Sequence, residues 1–286
     1  MLYLRQGENQ MQLLITLFLT ILLSLHVEAR PLTFAPSPLN DTQKIFEEFS
    51  PMINYLEEKL GEKIDFHYEK KYDDMITSFQ ENKIDLAYFG PLPLATLQQS
   101  CSSAVPLLVF NEPNGKSGYR CVLVQFAKDK INFQNNDSIK VALTQPLSTC
   151  GYMQTKILLK TYANKDIEEM KFNYLGNHDE VALSIIRGEF EIGGMKESIA
   201  KEYQSLGLKI LHTSQMLPSF TLVANANTLS KEKIANIKKI LLEIPREVYK
   251  TWGTNISYGF GETTIEDFNA LKIDELQYNI PQKGNF

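Results

Sequence analysis

The chain has 286 residues, of which 43% are hydrophobic, and a formal net charge of −5. This length allows one large domain or two smaller ones, and the hydrophobic fraction is that of an ordinary globular protein. The acidic balance argues against a generally basic surface, so we expect no nucleic-acid partner. An anionic ligand would have to be held by local groups, because the net field of the molecule repels it.

The N-terminus has the layout of a secretory signal peptide. An apolar run from Leu13 to Leu25 is followed by Val27-Glu28-Ala29, which resembles a small-x-small cleavage site. The run is shorter than the roughly 20 residues that a membrane-spanning helix needs. We therefore expect residues 1–29 to be cleaved and the mature protein to be soluble and exported. An uncleaved N-terminal anchor and a translation start at Met11 are the alternatives.

From residue 30 onward, strand and helix patterns alternate along the chain. The predicted elements are strand 32–35, helix 41–60, strand 64–68, helix 73–82, strand 84–89, a helix after 90–91, strand 140–144, helix 150–163, strand 171–175, helix 178–187, strand 190–194, helix 196–206, strand 209–213, strand 219–224 and helix 231–247. Such alternation predicts an α/β fold with mostly parallel sheets covered by helices. A faint repeat aligns 73–76 with 179–182, which favours two similar halves and places Tyr72 and His178 at equivalent helix starts.

The segment Leu147 to Tyr152 lies between a predicted strand and a predicted helix. It places Ser148, Thr149 and Gly151 at a helix start, where unpaired N–H groups and the helix dipole attract small anions. Capping of the helix by the same hydroxyls is the alternative interpretation. Because ligands of open α/β sheets bind beyond the carboxyl ends of the strands, we expect this loop to face a cleft.

Three cysteines, Cys101, Cys121 and Cys150, leave several possibilities open. Export permits disulfides, and Cys101 and Cys121 flank one strand-turn segment, so they form either a disulfide or two buried thiols. Cys150 is then the odd cysteine, either an inert small side chain or a reactive thiol at a helix start. A Cys–His enzyme would need Cys150 and His178 within hydrogen-bond reach of each other.

Other catalytic and metal-binding patterns are missing from the sequence. There is no HExxH, CxxC or Walker loop, and the four histidines are scattered at positions 26, 67, 178 and 212. We therefore expect neither a metal ion nor a cofactor.

Several ordered segments resemble the periplasmic substrate-binding proteins of phosphate/phosphite/phosphonate-type ABC transporters. They are Pro51–Leu56 with Leu60-Gly61, Tyr72 with Lys83–Pro91, Gly118-Tyr119 with 121–124, Ser148–Tyr152, Gly176–Asp179 and Gly188–Glu191. The resemblance implies a type II periplasmic-binding-protein fold, with two α/β lobes joined by two crossing strands and the ligand between the lobes. It implies a first lobe of 30–118 plus 222–286, a second lobe of 122–217, and hinge segments 119–121 and 218–221.

The same resemblance implies a ligand of the phosphite, phosphate or small phosphonate class. The implied ligand-binding residues are Ser148, Thr149, Cys150, Gly151, His178, Tyr72 and Tyr119, to which we add the neighbouring Asp179 and Lys196. Hydroxyl, phenol, imidazole and backbone N–H groups are donors that suit the acceptor oxygens of such an anion.

The chain departs from the family pattern at three positions. Cys150 replaces the third hydroxyl of the family's S-T-S-G-[YF] loop and is a weaker donor. Ser198 and Phe220 stand where members that bind aminophosphonates carry acidic residues. An ammonium buried without a carboxylate would be costly, so we expect amino-substituted phosphonates to be disfavoured.

The resemblance implies a binding protein and not an enzyme. It would be a monomer that closes around a small oxyanion and delivers it to the permease and ATPase of an ABC transporter. A ligand-sensing receptor for a membrane kinase and an exported enzyme that uses Cys150 are the alternatives.

Overall fold

Two β-sheets organise the chain in the computed structural model, which describes residues 30–133, 139–264, 268 and 280–286. In chain order the strands are β1 (Leu32–Ala35), β2 (Ile64–Phe66), β3 (Leu86–Phe89), β4 (Ala104–Phe110), β5 (Gly118–Tyr119), β6 (Cys121–Phe126), β7 (Lys140–Leu143), β8 (Lys171–Tyr174), β9 (Ile192–Lys196), β10 (Leu208–Thr213), β11 (Leu217–Pro218), β12 (Thr221–Asn225) and β13 (Phe260–Glu262). One sheet has the order β13-β4-β12-β3-β1-β2, and the other has the order β10-β6-β9-β7-β8. The predicted two-lobed α/β fold is confirmed, with the first lobe built on the six-stranded sheet and the second on the five-stranded sheet.

Each sheet is mixed and not parallel throughout. The strand pairs β1–β2, β1–β3, β7–β8 and β7–β9 are parallel, as the βα alternation predicts. Strands β6 and β12 each follow a change of lobe, and they pair antiparallel with both of their neighbours. The sheets therefore combine helix-connected parallel strands with antiparallel strands that enter from the other lobe.

The chain passes between the two sheets twice in segments that pair with each other. It leaves the six-stranded sheet after Phe110 and enters the other sheet at Cys121, then returns between Thr213 and Thr221. Within these segments β5 and β11 form a short antiparallel pair. The predicted hinge boundaries fall in the same intervals and stay a prediction at the level of single residues.

The C-terminal segment 280–286 lies against the second lobe. Asn285 exchanges backbone and side-chain hydrogen bonds with Phe172 of β8, and Tyr174 Oη donates to the carbonyl of Pro281 at 2.8 Å. The predicted division, which placed all of 222–286 in the first lobe, therefore needs correction for these residues. The pairing uses the exposed edge of β8, which local sequence patterns do not identify.

The helices follow the predicted order with shifted ends. They are α1 (Thr42–Leu60), α2 (Tyr72–Gln80), α3 (Pro91–Ser100), a π-helical turn (Thr149–Gln154), α4 (Thr155–Ala163), α5 (His178–Ile186), α6 (Glu197–Glu202), α7 (Lys231–Leu242) and α8 (Arg246–Tyr249), with 3₁₀ turns at Ile167–Glu169 and Gln204–Leu206. The predicted helix 231–247 is divided: α7 ends at Leu242, and α8 begins after Pro245. A continuous helix is disfavoured here because proline cannot donate the backbone hydrogen bond that it would require. The predicted strand 190–194 lies two residues later, at 192–196.

Capping side chains fix where the helices near the second lobe's loops begin. Asn177 Oδ1 accepts from Glu180 N at 2.9 Å at the start of α5, and Ser148 Oγ accepts from Gly151 N at 3.0 Å. Both α2 and α5 begin at the residues that the internal repeat predicts, Tyr72 and His178. In the described part of the chain, no helix combines the length and apolar composition of a bilayer crossing. The predicted signal peptide, 1–29, lies outside the described residues.

Candidate anion-binding site

A small central cavity brings together most of the predicted site residues. Its lining consists of Leu39, Tyr72, Tyr119, Ser148, Thr149, Cys150, His178, Lys196 and Phe220. The space open to the centre of a water-sized sphere is about 10 Å³, which is room for about one water molecule. Residues of both lobes form the walls, and all of these residues are buried.

The elements that carry these side chains all end or begin at the cavity. Tyr72 and His178 are the first residues of α2 and α5, and Lys196 is the last residue of β9. Ser148 immediately precedes the π-helical turn that Thr149 begins. The cavity therefore lies where two helix starts and the carboxyl end of a strand converge, as expected for a ligand site in α/β sheets.

The two loop hydroxyls act as hydrogen-bond acceptors within the protein and keep a proton for a ligand. Ser148 Oγ accepts from Gly151 N at 3.0 Å, and Thr149 Oγ1 accepts from Leu92 N, at the start of α3, at 3.0 Å. A hydroxyl that accepts through its lone pair still has its O–H to donate. Capping and ligand binding are thus compatible for Ser148.

Gly151 serves the packing of this loop and does not line the cavity. Its N–H is bonded to Ser148 Oγ, so this amide is not aimed at a ligand as predicted. A Cβ atom on Gly151 would lie 1.8 Å from Thr144 Oγ1. Glycine is therefore required here because strand β7 and the loop approach too closely for a side chain.

Three buried polar atoms at the cavity have no partner with hydrogen-bond geometry among the described residues, although the Thr149 hydroxyl lies near the Tyr119 phenol. They are Tyr119 Oη, His178 Nδ1 and Lys196 Nζ. A buried polar group without a partner costs roughly 1–3 kcal/mol, and more when it is charged, so native proteins rarely keep several in one place. Their convergence on one cavity indicates a site whose partner is a polar ligand.

Lys196 is the only lysine or arginine among the residues that line the cavity, and it is almost completely buried, with 1% of its surface exposed. Its Nζ lies 2.8 Å from Glu112 Oε1, an ion pair that is not aligned as a hydrogen bond. The same ammonium lies 5.4 Å and 5.3 Å from the ring centroids of Tyr119 and Phe220. Rings at this distance stabilise a desolvated cation, and its N–H groups stay available to an anion.

Sequence reasoning did not find Glu112. It lies in the first segment that connects the lobes, far from Lys196 in the sequence and in no motif of its own. Its pairing with Lys196 was detectable only from the assembled fold.

Burial keeps the histidine and the two tyrosines of the cavity uncharged. Burial, and secondarily the positive charge of Lys196, lower the pKa of His178 to about 3, so its imidazole is neutral at physiological pH. Burial raises the pKa of Tyr72 and of Tyr119 well above the usual value, so both phenols keep their protons. The cavity thus offers neutral donors together with one ammonium whose charge is balanced by Glu112.

The cysteine pairing differs from the predicted one. Cys121 and Cys150 form the disulfide, with their Cα atoms 5.1 Å apart, and Cys101 is free. The Cys101–Cys121 disulfide, which the sequence left open as one of two possibilities, does not form, because the chain changes lobes between these residues. The disulfide also leaves Cys150 without a thiol, so it is neither a weak donor nor a nucleophile.

Asp179 does not line the cavity. Its Oδ1 accepts from Tyr203 Oη at 2.7 Å and lies 3.7 Å from Lys44 Nζ. The backbone N–H of Asp41 lies 3.4 Å from its other oxygen. The predicted ligand role of Asp179 is therefore replaced by a contact between α5 and the start of α1 in the first lobe.

Gln145 joins the lobes beside the cavity and was also missed from the sequence. Its Oε1 accepts from the N–H of Tyr72 at 3.1 Å. Its Nε2 donates to the carbonyls of Lys70 at 3.0 Å and Gly176 at 2.8 Å. With the bond from His178 N to Leu39 O at 3.0 Å, these contacts hold the two helix starts of the cavity together.

Ser198 and Phe220, the two residues that replace acidic residues of aminophosphonate-binding members, line different spaces. Phe220 lines it and stacks on Tyr88 with ring centroids 4.8 Å apart. Ser198 lines a neighbouring larger pocket of about 380 Å³ together with Glu112. In the described ranges, no group of three or more His, Cys, Asp or Glu residues is placed to hold a metal ion.

Comparison with known proteins identifies the family. The family model described as "ABC transporter, phosphonate, periplasmic substrate-binding protein" matches residues 34–268. The chain belongs to this family. Members are solute-binding proteins of ABC transporters and not enzymes, which removes the alternative of a Cys150-dependent enzyme.

Relatives and solved structures agree with this family. The phosphate-import protein PhnD of Mycolicibacterium smegmatis is 26% identical over 229 residues, which cover 74% of this chain and 71% of the relative. The phosphonates-binding periplasmic protein of Escherichia coli is 22% identical over 232 residues, 75% of this chain and 68% of the relative.

Two solved structures share the fold at lower identity. PhnD1 from Prochlorococcus marinus in complex with methylphosphonate has a TM-score of 0.74 at 14% identity, covering 85% of this chain and 96% of that one. A binding-protein component of an ABC phosphonate transporter from Pseudomonas aeruginosa has a TM-score of 0.74 at 17% identity, with 86% of each chain covered. The family places this substrate-binding protein in the periplasm, as the ligand-binding component of an ABC transporter.

Proposed function

We propose that this protein binds phosphite, phosphate or a small alkylphosphonate at the central cavity and delivers it to the permease of an ABC importer. The cavity has to widen to admit such an anion, because its free space of about 10 Å³ holds about one water molecule. The observation that supports the proposal is the convergence on one buried cavity of Tyr119 Oη and His178 Nδ1, which lack hydrogen-bond partners, with the ammonium of Lys196, whose partner is Glu112. Ser148 and Thr149 add two hydroxyl protons. A tetrahedral oxyanion offers the acceptor oxygens that this set of donors lacks.

The walls of the cavity favour a ligand with no substituent or a small apolar one. Leu39 and Phe220 provide apolar surface beside the donors. Glu112 is the nearest carboxylate, and it is already paired with Lys196 at 2.8 Å. An amino-substituted phosphonate would have to compete with Lys196 for Glu112, so we expect it to bind more weakly than methylphosphonate.

Closure of the two lobes around the ligand is the proposed transport cycle. The hydrogen bonds of Gln145 and the bond from Leu92 N to Thr149 join the lobes at the cavity. We propose that opening breaks these bonds and that the partner ATPase supplies the energy for release. We further propose that the protein is a monomer exported through a cleaved signal peptide at 1–29.

Isothermal titration of the mature protein with phosphate, phosphite, methylphosphonate, aminoethylphosphonate and sulfate tests the proposal. We expect one or more of the first three to bind, and aminoethylphosphonate to bind at least tenfold more weakly, because its ammonium would compete with Lys196 for Glu112. Binding of none of the phosphorus oxyanions would overturn the proposed function.

A paired substitution locates the site. Ser148→Ala with Thr149→Ala should weaken binding by about 2–4 kcal/mol, because hydrogen bonds to a charged ligand contribute about 1.5–3 kcal/mol each. Ser230→Ala is the matched control, since Ser230 Oγ caps α7 by accepting from Lys233 N far from the cavity. Unchanged affinity in the double variant would show that the ligand binds elsewhere.

A further inference from the structure

We propose that the Cys121–Cys150 disulfide is a positioning element of the site, which holds the loop 148–151 in register with Lys196. The inference rests on the proposed function, because the loop and the lysine are taken as two sides of one anion site. Cys121 and Cys150 are buried, with 0% and 3% of their surfaces exposed. The bond therefore lies inside the molecule at the wall of the cavity and not at the surface.

The Cys121 end of the bond is fixed directly opposite Lys196. In the antiparallel pair β6–β9, Cys121 is the register partner of Lys196. The backbone of Cys121 also exchanges two hydrogen bonds with Ser214, one from Cys121 N to Ser214 Oγ at 2.9 Å and one from Ser214 N to Cys121 O at 2.8 Å. Cys121 is thus held by both neighbouring strand ends, so it is a rigid anchor.

The Cys150 end lies in the loop whose hydroxyls face the cavity. Cys150 follows Thr149 directly and itself lines the cavity. The bond therefore connects the residue after Thr149 to the backbone position that faces Lys196. Without the disulfide, only non-covalent packing would hold the loop 148–151 in position relative to Lys196, although both are proposed to bind the same anion.

That packing is close but depends on small residues. Cys150 O accepts from Thr155 Oγ1 at 2.7 Å, and a Cβ atom on Gly194 would lie 2.8 Å from the same carbonyl and 1.5 Å from Thr155 Oγ1. The loop thus packs on the glycine backbone of β9, where the hydroxyl of Thr155 is the side-chain group that holds the Cys150 carbonyl. A covalent link supplies the restraint that glycine contacts do not.

Removing the disulfide should weaken ligand binding even in molecules that remain folded. If the unlinked loop adopts the binding arrangement only part of the time, the apparent dissociation constant rises by the inverse of that fraction. A loop that is competent about one-tenth of the time gives about tenfold weaker binding.

The test compares the oxidised wild type with Cys121→Ala/Cys150→Ala, and uses Cys101→Ala as the matched control because Cys101 is the free cysteine. Phosphate, phosphite and methylphosphonate are titrated by calorimetry well below the melting temperature of each protein. We expect about tenfold weaker binding in the double variant and wild-type binding in the control. Binding by the double variant within twofold of the wild type would overturn the proposal.

A double-mutant cycle separates positioning from general stability. Lys196→Met is measured in the oxidised and the disulfide-free backgrounds, and coupling is the difference between its two effects. We expect Lys196→Met to cost at least threefold less affinity without the disulfide, because the lysine and loop are then already misaligned. If Lys196→Met weakens binding by the same factor with and without the disulfide, the two changes are independent, which would contradict a positioning role.

The remaining outcomes are also decisive. If the oxidised wild type binds none of the three anions, the proposed function fails and this inference falls with it. If the alanine pair does not fold, Cys121→Ser/Cys150→Ser and the wild type reduced with a phosphine replace it. Failure of all of these to stay folded would assign the bond a purely structural role and overturn the proposal.

Discussion

At the scale of single residues, the central cavity is dominated by one buried ammonium. Lys196 has its charge balanced by Glu112 at 2.8 Å, yet its Nζ makes no hydrogen bond to any described residue. A buried ion pair of this kind contributes little net stability, since desolvation offsets the attraction between the charges. We propose that the arrangement serves ligand binding, in which the anion would complete the hydrogen bonding of Lys196.

Removing the ammonium should weaken ligand binding and also folding. Lys196→Met should reduce the affinity for the anion by about 2–3 kcal/mol, the contribution of a charge-assisted hydrogen bond. It should also destabilise the fold by about 3–5 kcal/mol, because Glu112 is left as an unpaired buried charge. Calorimetry and denaturant unfolding measure the two effects.

The double variant Lys196→Met/Glu112→Gln is the control that separates these effects. It should recover most of the stability but not the affinity, because the buried carboxylate is removed while the ligand's ammonium partner stays absent. Recovery of affinity in the double variant would show that Lys196 acts only through the fold.

The buried imidazole of His178 should make stability depend on pH. Its pKa falls from 6.5 to about 3 on folding, so its contribution is fully present above pH 6.5 and is lost as the pH falls toward 3. Without ligand, the wild type should lose about 2 kcal/mol more than His178→Gln between pH 7 and pH 5. Urea titrations at the two pH values measure the difference, and equal losses would contradict a buried neutral His178.

At the scale of elements, the loop 148–151 is shaped by how closely it approaches strand β7. The π-helical turn that follows Ser148 begins with the hydrogen bond from Gly151 N to Ser148 Oγ. Thr144 occupies the space where a side chain on Gly151 would stand. The glycine in this motif is thus a packing requirement, whereas the hydroxyls beside it are the groups left for a ligand.

Gly151→Ala should disturb both folding and binding. The added methyl would lie 1.8 Å from Thr144 Oγ1 and 2.9 Å from Ser148 Oγ, and overpacking of this kind costs about 1–3 kcal/mol. Because the displaced atoms belong to the loop, the affinity should fall about tenfold or more, a loss that corresponds to about 1.4 kcal/mol. Thermal unfolding and calorimetry check both expectations.

Gly188→Ala is the matched control for this change. Gly188 has a left-handed backbone with φ of 74°, and nothing lies within 4 Å of an added Cβ. It should cost about 1–2 kcal/mol of stability through backbone strain and leave the affinity unchanged. Equal loss of affinity in both variants would mean that binding follows stability and not loop geometry.

At the scale of the whole molecule, the closed cavity depends on contacts that join the two lobes. Gln145 bonds with the helix start at Tyr72 on one side and with Gly176, before α5, on the other. Of these three residues, Tyr72 lines the cavity, whereas Gln145 and Gly176 do not. Gln145 therefore joins the two lobes beside the cavity and does not line it, so we expect it to stabilise the proposed closed form without contacting the ligand.

Gln145→Ala should lower the apparent affinity by shifting the lobes toward the open form. We expect about threefold to tenfold weaker binding with faster dissociation, because a smaller fraction of molecules is closed. Stopped-flow dissociation and small-angle scattering check the expectation. Gln80→Ala, which removes a glutamine hydrogen bond to Ser100 within the first lobe, should leave both measurements unchanged.

Local sequence patterns predicted the elements and most of the cavity. Apolar periodicity identifies α1, whose predicted face is buried at Ile45, Phe49, Ile53 and Leu56. The internal repeat placed Tyr72 and His178 at helix starts, and the loop motif placed Ser148 and Thr149 beside them. These features depend on residues close together in the chain, which is why they are readable without a structure.

The tertiary structure decided every pairing between distant residues. Cys121 bonds to Cys150 and not to Cys101, Lys196 pairs with Glu112, and Gln145 joins two helix starts. Each pair depends on how the chain crosses between the sheets and on how the lobes close, which no local pattern encodes. The sequence by itself determined the family, the order of the elements and the donors, whereas only long-range packing determined which of these donors meet at one buried cavity.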